Sequence, residues 1–104
     1  MTSSFQASSQ LVARRALISG KVQGVGYRYS LAQKAQELNI SGWCRNLPNG
    51  QVEAWLQGSP EAMTRILEWL YVGPPHAVVE HVEIEEQSNL EPSWQEGRIF
   101  EIRR

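Results

Sequence analysis

Residues 20–28, Gly20-Lys21-Val22-Gln23-Gly24-Val25-Gly26-Tyr27-Arg28, set the tightest limit on what this chain can fold into. Three glycines fall within seven positions. A strand-like run, Ala16-Leu17-Ile18-Ser19, precedes them, and a helical pattern follows. The chain must pass from strand to helix through a turn whose backbone takes conformations closed to most side chains. Such a turn can aim several N–H groups at one point, and a helix N-terminus already favours an anion. Arg28 stands at the junction, where a cation opposes the positive end of the helix dipole. A residue set against local stability points to function. The pattern predicts a pocket for a phosphate-like dianion, walled by the backbone of Gln23, Gly24, Val25, Gly26, Tyr27 and Arg28. Taken alone, the same loop also fits a plain strand–helix connection.

The rest of the chain supplies the frame. Leu11 to Ser19 reads as a strand, with Arg14-Arg15 breaking its pattern. Tyr27, Leu31, Ala35 and Leu38 recur at helical spacing and predict an amphipathic helix, closed by Ile40 and Ser41-Gly42. Trp43 to Asn46 is a short strand, and Leu47-Pro48-Asn49-Gly50 a hairpin turn. From Gln51 to Gln57 the residues alternate. Val52, Ala54 and Leu56 are expected to face a core, and Gln51, Glu53, Trp55 and Gln57 to face solvent.

Ser59, Pro60 and Glu61 open a second helix, whose apolar face is Met63, Ile66, Leu67 and Leu70. Gly73 and Pro74-Pro75 stop it. Val78 to Glu85 is a fourth strand, residues 87–97 a polar loop, and Arg98 to Arg103 a last strand with Phe100 and Ile102 toward the core. The order is β-α-β-β-α-β, with the last strand split or doubled. It predicts an α+β, ferredoxin-like fold: an antiparallel sheet carrying two helices on one face. Residues 11–104 form one domain, and the Ser/Gln-rich residues 1–10 a mobile tail.

Composition removes several classes of function. A net charge of −1 gives no electrostatic footing for a general nucleic-acid binder, and Trp55 sits among Gln51, Glu53 and Gln57. No apolar run approaches the roughly 20 residues of a membrane span. Residues 1–10 lack the basic and apolar regions of a secretory signal. Cys44 is the only cysteine, so no internal disulfide can form; it reads as a small buried filler. Lys21, His76, His81 and the acidic run Glu80 to Glu86 read as solvated or structural positions. A cytoplasmic monomer is expected.

Two segments now resemble a known family. Gly20 to Arg28 resembles the first acylphosphatase signature, a glycine-bracketed Val-Gln-Gly-Val loop ending in an aromatic residue and arginine. Gly42-Trp43-Cys44-Arg45-Asn46, followed by Gly50-Gln51-Val52 and Gly58, resembles the second. The likeness runs from about Ala13 to Ile102. Two departures are visible. Tyr27 stands where phenylalanine is frequent, and Arg103-Arg104 ends a chain whose relatives often end in an aromatic residue.

The resemblance implies hydrolysis of the carboxyl–phosphate bond of small acyl phosphates. It also implies that Arg28 holds the phosphate and that Asn46 orients the attacking water. An amide takes no proton near neutral pH, so Asn46 is not a general base. The loop carries no carboxylate of the kind that holds Mg²⁺ in phosphoryl-transfer sites, so no metal or other cofactor is expected. A non-catalytic phosphate-binding module of the same fold is the alternative. Such a module has no use for a water-orienting amide at position 46.

Overall fold

The computed structural model describes residues 10–90 and 99–104. Five strands and two helices follow one another as β1 (Val12–Lys21), α1 (Tyr27–Glu37), β2 (Ser41–Asn46), β3 (Val52–Gly58), α2 (Pro60–Val72), β4 (Val78–Gln87) and β5 (Phe100–Arg103). The strands form one sheet in the order β4-β1-β3-β2-β5. The first four pair antiparallel, the ferredoxin-like arrangement expected. The fifth adds parallel to β2, with Cys44 opposite Ile102, so the finished sheet is mixed. The expected tail falls outside the described residues except for Gln10. So do residues 91–97 of the expected polar loop, and Arg98. Gln87 closes β4 instead of opening that loop.

One core joins the sheet to both helices. Ala16, Ile18, Cys44, Val52, Ala54 and Leu56 meet Tyr27, Leu31 and Ala35 of α1 and Met63, Ile66 and Leu70 of α2. Both helices thus lie on the same face. Helix α2 starts as its sequence requires: the Ser59 hydroxyl accepts from the Ala62 N–H at 3.1 Å, and Pro60 fills the first helical position. Among the described residues no helix is long and apolar enough to cross a membrane.

Strand β3 departs from the expected alternation. Its helix-facing residues are buried, but so are two on the opposite face, Glu53 (5% exposed) and Gln57 (1%). As a central strand, β3 is flanked by long side chains from both neighbours. Arg15 of β1 and Arg45 of β2 each place Nε 2.7 Å from a different Glu53 carboxylate oxygen. Trp55 Nε1 donates to Gln57 Oε1 at 3.2 Å. The face that reads as solvated in a single strand becomes partly covered once the strand is central.

Candidate functional site

The glycine loop is shorter in space than in sequence. Gly20 and Lys21 belong to β1, where the register to β4 shifts between Ser19 and Gly20. Gly20 has φ +124°, and a Cβ there would collide with the Val78 carbonyl oxygen, so this glycine serves strand contact. The loop proper runs over residues 22–26. Gly24 (φ +76°) and Gly26 (φ +81°) take the left-handed conformation that lets it turn into α1.

Gly26 is the N-cap of α1. It offers no side chain to the first-turn N–H groups, and no acidic residue lies in that turn. A helix start normally satisfies those donors with a cap or a carboxylate. The residues that carry them, Tyr27, Arg28 and Tyr29, line a cleft of about 180 Å³ together with Gly24, Gly26 and Asn46. Arg28 is held from behind: its Nη1 donates to the Arg103 carbonyl oxygen at 3.1 Å. Asn46 enters from the end of β2. Its Oδ1 is buried and accepts no hydrogen bond from any described residue. A buried acceptor left without a partner is costly, on the order of 1–3 kcal/mol. Its setting fits a group that meets a ligand or a water.

Of the six expected loop residues, Gly24, Gly26, Tyr27 and Arg28 line the cleft. Gln23 and Val25 do not. The Gln23 Nε2 instead donates to the Leu47 and Gln51 carbonyl oxygens at 2.8 and 2.9 Å. That ties the loop to the hairpin that follows Asn46. Val25 packs against the core. The Tyr27 ring is also buried, 5.4 Å from the Trp69 ring. The Tyr27 hydroxyl donates to the Leu70 carbonyl oxygen at 2.6 Å, one of the end carbonyls of α2. This accounts for tyrosine where phenylalanine is frequent. Burial disfavours the phenolate and pushes the Tyr27 pKa up.

Three lining residues, Val22, Tyr29 and Ile102, were not legible as such. Ile102, expected to face the core, is 45% exposed and lines the cleft beside Tyr29, which is 63% exposed. Strand β5 lies at the sheet edge, so its inward side chains reach the rim of the helix layer. Cys44 is buried as expected, and burial pushes its thiol up to about 12, partly offset by the charge of Arg28. Among the described residues no three His, Cys, Asp or Glu side chains are gathered as metal ligands.

The family model described as Acylphosphatase matches residues 14–102. An acylphosphatase of Acaryochloris marina is 48% identical over 94 residues, covering 90% of this chain and 96% of that protein. Among solved structures, an acylphosphatase from Coxiella burnetii superposes with a TM-score of 0.83 at 37% identity, over 94% of this chain and 98% of that one. An acylphosphatase from Bacillus subtilis gives 0.81 at 30% identity, over 91% and 100%.

Proposed function

The chain belongs to the acylphosphatase family, and from that premise we propose how its cleft carries out the reaction. Acylphosphatases hydrolyse the mixed anhydride of an acyl phosphate to a carboxylate and inorganic phosphate. The phosphoryl oxygens sit on the N–H groups of residues 24–28. Arg28 adds a planar, always-charged fork. The bond to the Arg103 carbonyl fixes that fork before substrate arrives, so little orientation is lost on binding. Each preorganised donor contributes on the order of 3 kcal/mol where charge builds in the transition state.

Asn46 Oδ1 accepts a hydrogen bond from the attacking water. The water oxygen forms a bond to phosphorus as the bridging P–O bond breaks. The carboxylate leaves with that electron pair, and the proton of the water passes to a phosphate oxygen. A carboxylate leaves readily, so a side chain acting as base is unnecessary. The reading needs no metal: the cleft-lining side chains among the described residues include no carboxylate, and the charge of the phosphate is met by Arg28 and backbone donors.

The observation that carries this reading is the convergence of Arg28 and the unpartnered Asn46 Oδ1 on one cleft. Residues 11–104 act as one catalytic domain, a monomer at work in the reducing cytoplasm, where a lone buried thiol is in no danger of cross-linking. The test is hydrolysis of acetyl phosphate by the purified chain with excess EDTA. Undiminished turnover is expected. Hydrolysis no faster than in buffer would sink the reading.

A further inference from the structure

Arg28 rests on a carbonyl that itself needs holding. Arg103, which supplies it, is the last residue of β5, a four-residue strand at the edge of the sheet. The end of a short edge strand frays readily, because its backbone is bonded to one neighbour only. Phe100 packs against the core, but Ile102, next to Arg103, is 45% exposed.

Strand β5 has a second attachment, on the face of the sheet away from the helices. There β2 presents Trp43, which alternates with the buried Cys44 and so faces the other way. The Arg103 guanidinium lies over the Trp43 ring, 4.9 Å from its centroid. Glu101, opposite Trp43 in register, accepts from Arg103 Nε at 3.1 Å. The ring is held in turn. Arg45 lies over it at 5.6 Å, and the buried Glu53 accepts from Arg45 Nε at 2.7 Å. Arg45 and Arg103 are partners in register, and like charges side by side would push β5 away from β2. Sharing one indole, each with its own carboxylate, offsets that repulsion. Arg103 thus has its side chain stacked on Trp43 and its carbonyl oxygen bonded to Arg28.

We propose that Trp43 is a positioning residue for Arg28. Stacked against the Arg103 side chain, it fixes the end of β5 so that the Arg103 carbonyl meets the Arg28 guanidinium in one place. The proposal rests on phosphate binding at Arg28, and it puts a determinant of the cleft on the opposite face of the sheet. Substituting residue 103 leaves its carbonyl in place, so side-chain variants test how well that carbonyl is held.

The experiment measures kcat/KM for acetyl phosphate, and binding of inorganic phosphate by calorimetry, in Trp43→Leu, Arg103→Met and Arg103→Lys. Circular dichroism checks the fold of each. Trp43→Leu keeps every charge, and Arg103→Met keeps the ring. Both are expected to lower kcat/KM about fivefold and to weaken phosphate binding by a like factor. Arg103→Lys retains a cation over the ring and should stay within about twofold. Arg104→Met, the control for long-range attraction of the anion, should do the same. The double variant Trp43→Leu/Arg103→Met should be no worse than either single one. In an Arg28→Ala background, Trp43→Leu should change the residual rate no further, whereas a general loosening of the fold would still lower it.

Folded Trp43→Leu and Arg103→Met variants that match the unaltered chain, or equal losses with and without Arg28, would overturn the proposal. Should Trp43→Leu fail to fold, Arg103→Met against Arg103→Lys decides, since that side chain is 44% exposed. An unaltered chain that binds no phosphate would instead overturn the reading of the Arg28 cleft, and this proposal with it.

Discussion

Arg28 on the first turn of α1 is fastened to β5 through the Arg103 carbonyl oxygen, 3.1 Å from its Nη1. One N–H of the guanidinium is engaged there, and the proposed mechanism gives the others to the phosphate. A lysine ammonium is a point charge on a flexible stem and cannot span the carbonyl and two phosphate oxygens at once. Arg28→Lys is expected to lower kcat/KM for acetyl phosphate about 100-fold, and Arg28→Ala about 1,000-fold, with the fold intact. Steady-state kinetics with circular dichroism checks both. A lysine variant within threefold of the unaltered chain would show that charge alone suffices.

Asn46 carries a buried acceptor whose partner is proposed to be the nucleophilic water. A group that acts on water and not on substrate affects kcat far more than KM. Asn46→Ala should lower kcat about 100-fold and move KM less than threefold. Asn46→Asp should do worse on KM, because its charge repels the phosphate. A large rise in KM in the alanine variant would place Asn46 among the phosphate ligands instead.

The parts of the fold legible in the sequence are those set by neighbours along the chain. Ser59-Pro60-Glu61 announces α2, and Asn49-Gly50 the hairpin, because caps and turns are local chemistry. The candidate site was legible through Arg28, whose charge at a helix start is a local conflict. What depends on strand order was not. Glu53 looks solvated in its own strand and is buried only because Arg15 and Arg45 arrive from two different strands. Ile102 looks like core until β5 is known to lie at the edge. No spacing rule links Tyr27 to the end of α2, yet its hydroxyl caps the Leu70 carbonyl.

Gln23 holds the loop to the hairpin through two carbonyls, those of Leu47 and Gln51. Leu47 adjoins Asn46, so this contact sets the spacing between the proposed phosphate cradle and the amide proposed to orient water. Both carbonyls also accept backbone bonds, from Gly50 and Leu47 respectively, so losing the side chain strands neither. Gln23→Leu should therefore cost only about 1 kcal/mol of stability. It should nonetheless lower kcat about tenfold, because small displacements between reacting groups are expensive. Urea unfolding and kinetics at 25 °C separate the two effects. Loss of stability with unchanged kcat would reduce Gln23 to a structural tie.

Glu53 makes the acid limit of the fold specific. Burial by itself pushes its pKa up, but the hydrogen bonds from Arg45 and Arg15, with their charges, outweigh that and hold it below the usual carboxylate value. A carboxylate with a lowered folded pKa binds fewer protons folded than unfolded. Its stabilisation is therefore complete above the unfolded value, about 4.3, and is lost as pH falls through the folded value. Glu53→Gln keeps the shape, removes the charge and leaves two arginines facing each other across a neutral amide. It should cost about 2 kcal/mol at pH 7 and flatten the fall in stability below pH 4.5, since the titrating group is gone. Urea midpoints between pH 3 and pH 7 measure both. An equally steep acid loss in the variant would show that Glu53 does not set the acid limit. Glu53 is buried, so its contribution should persist with added salt.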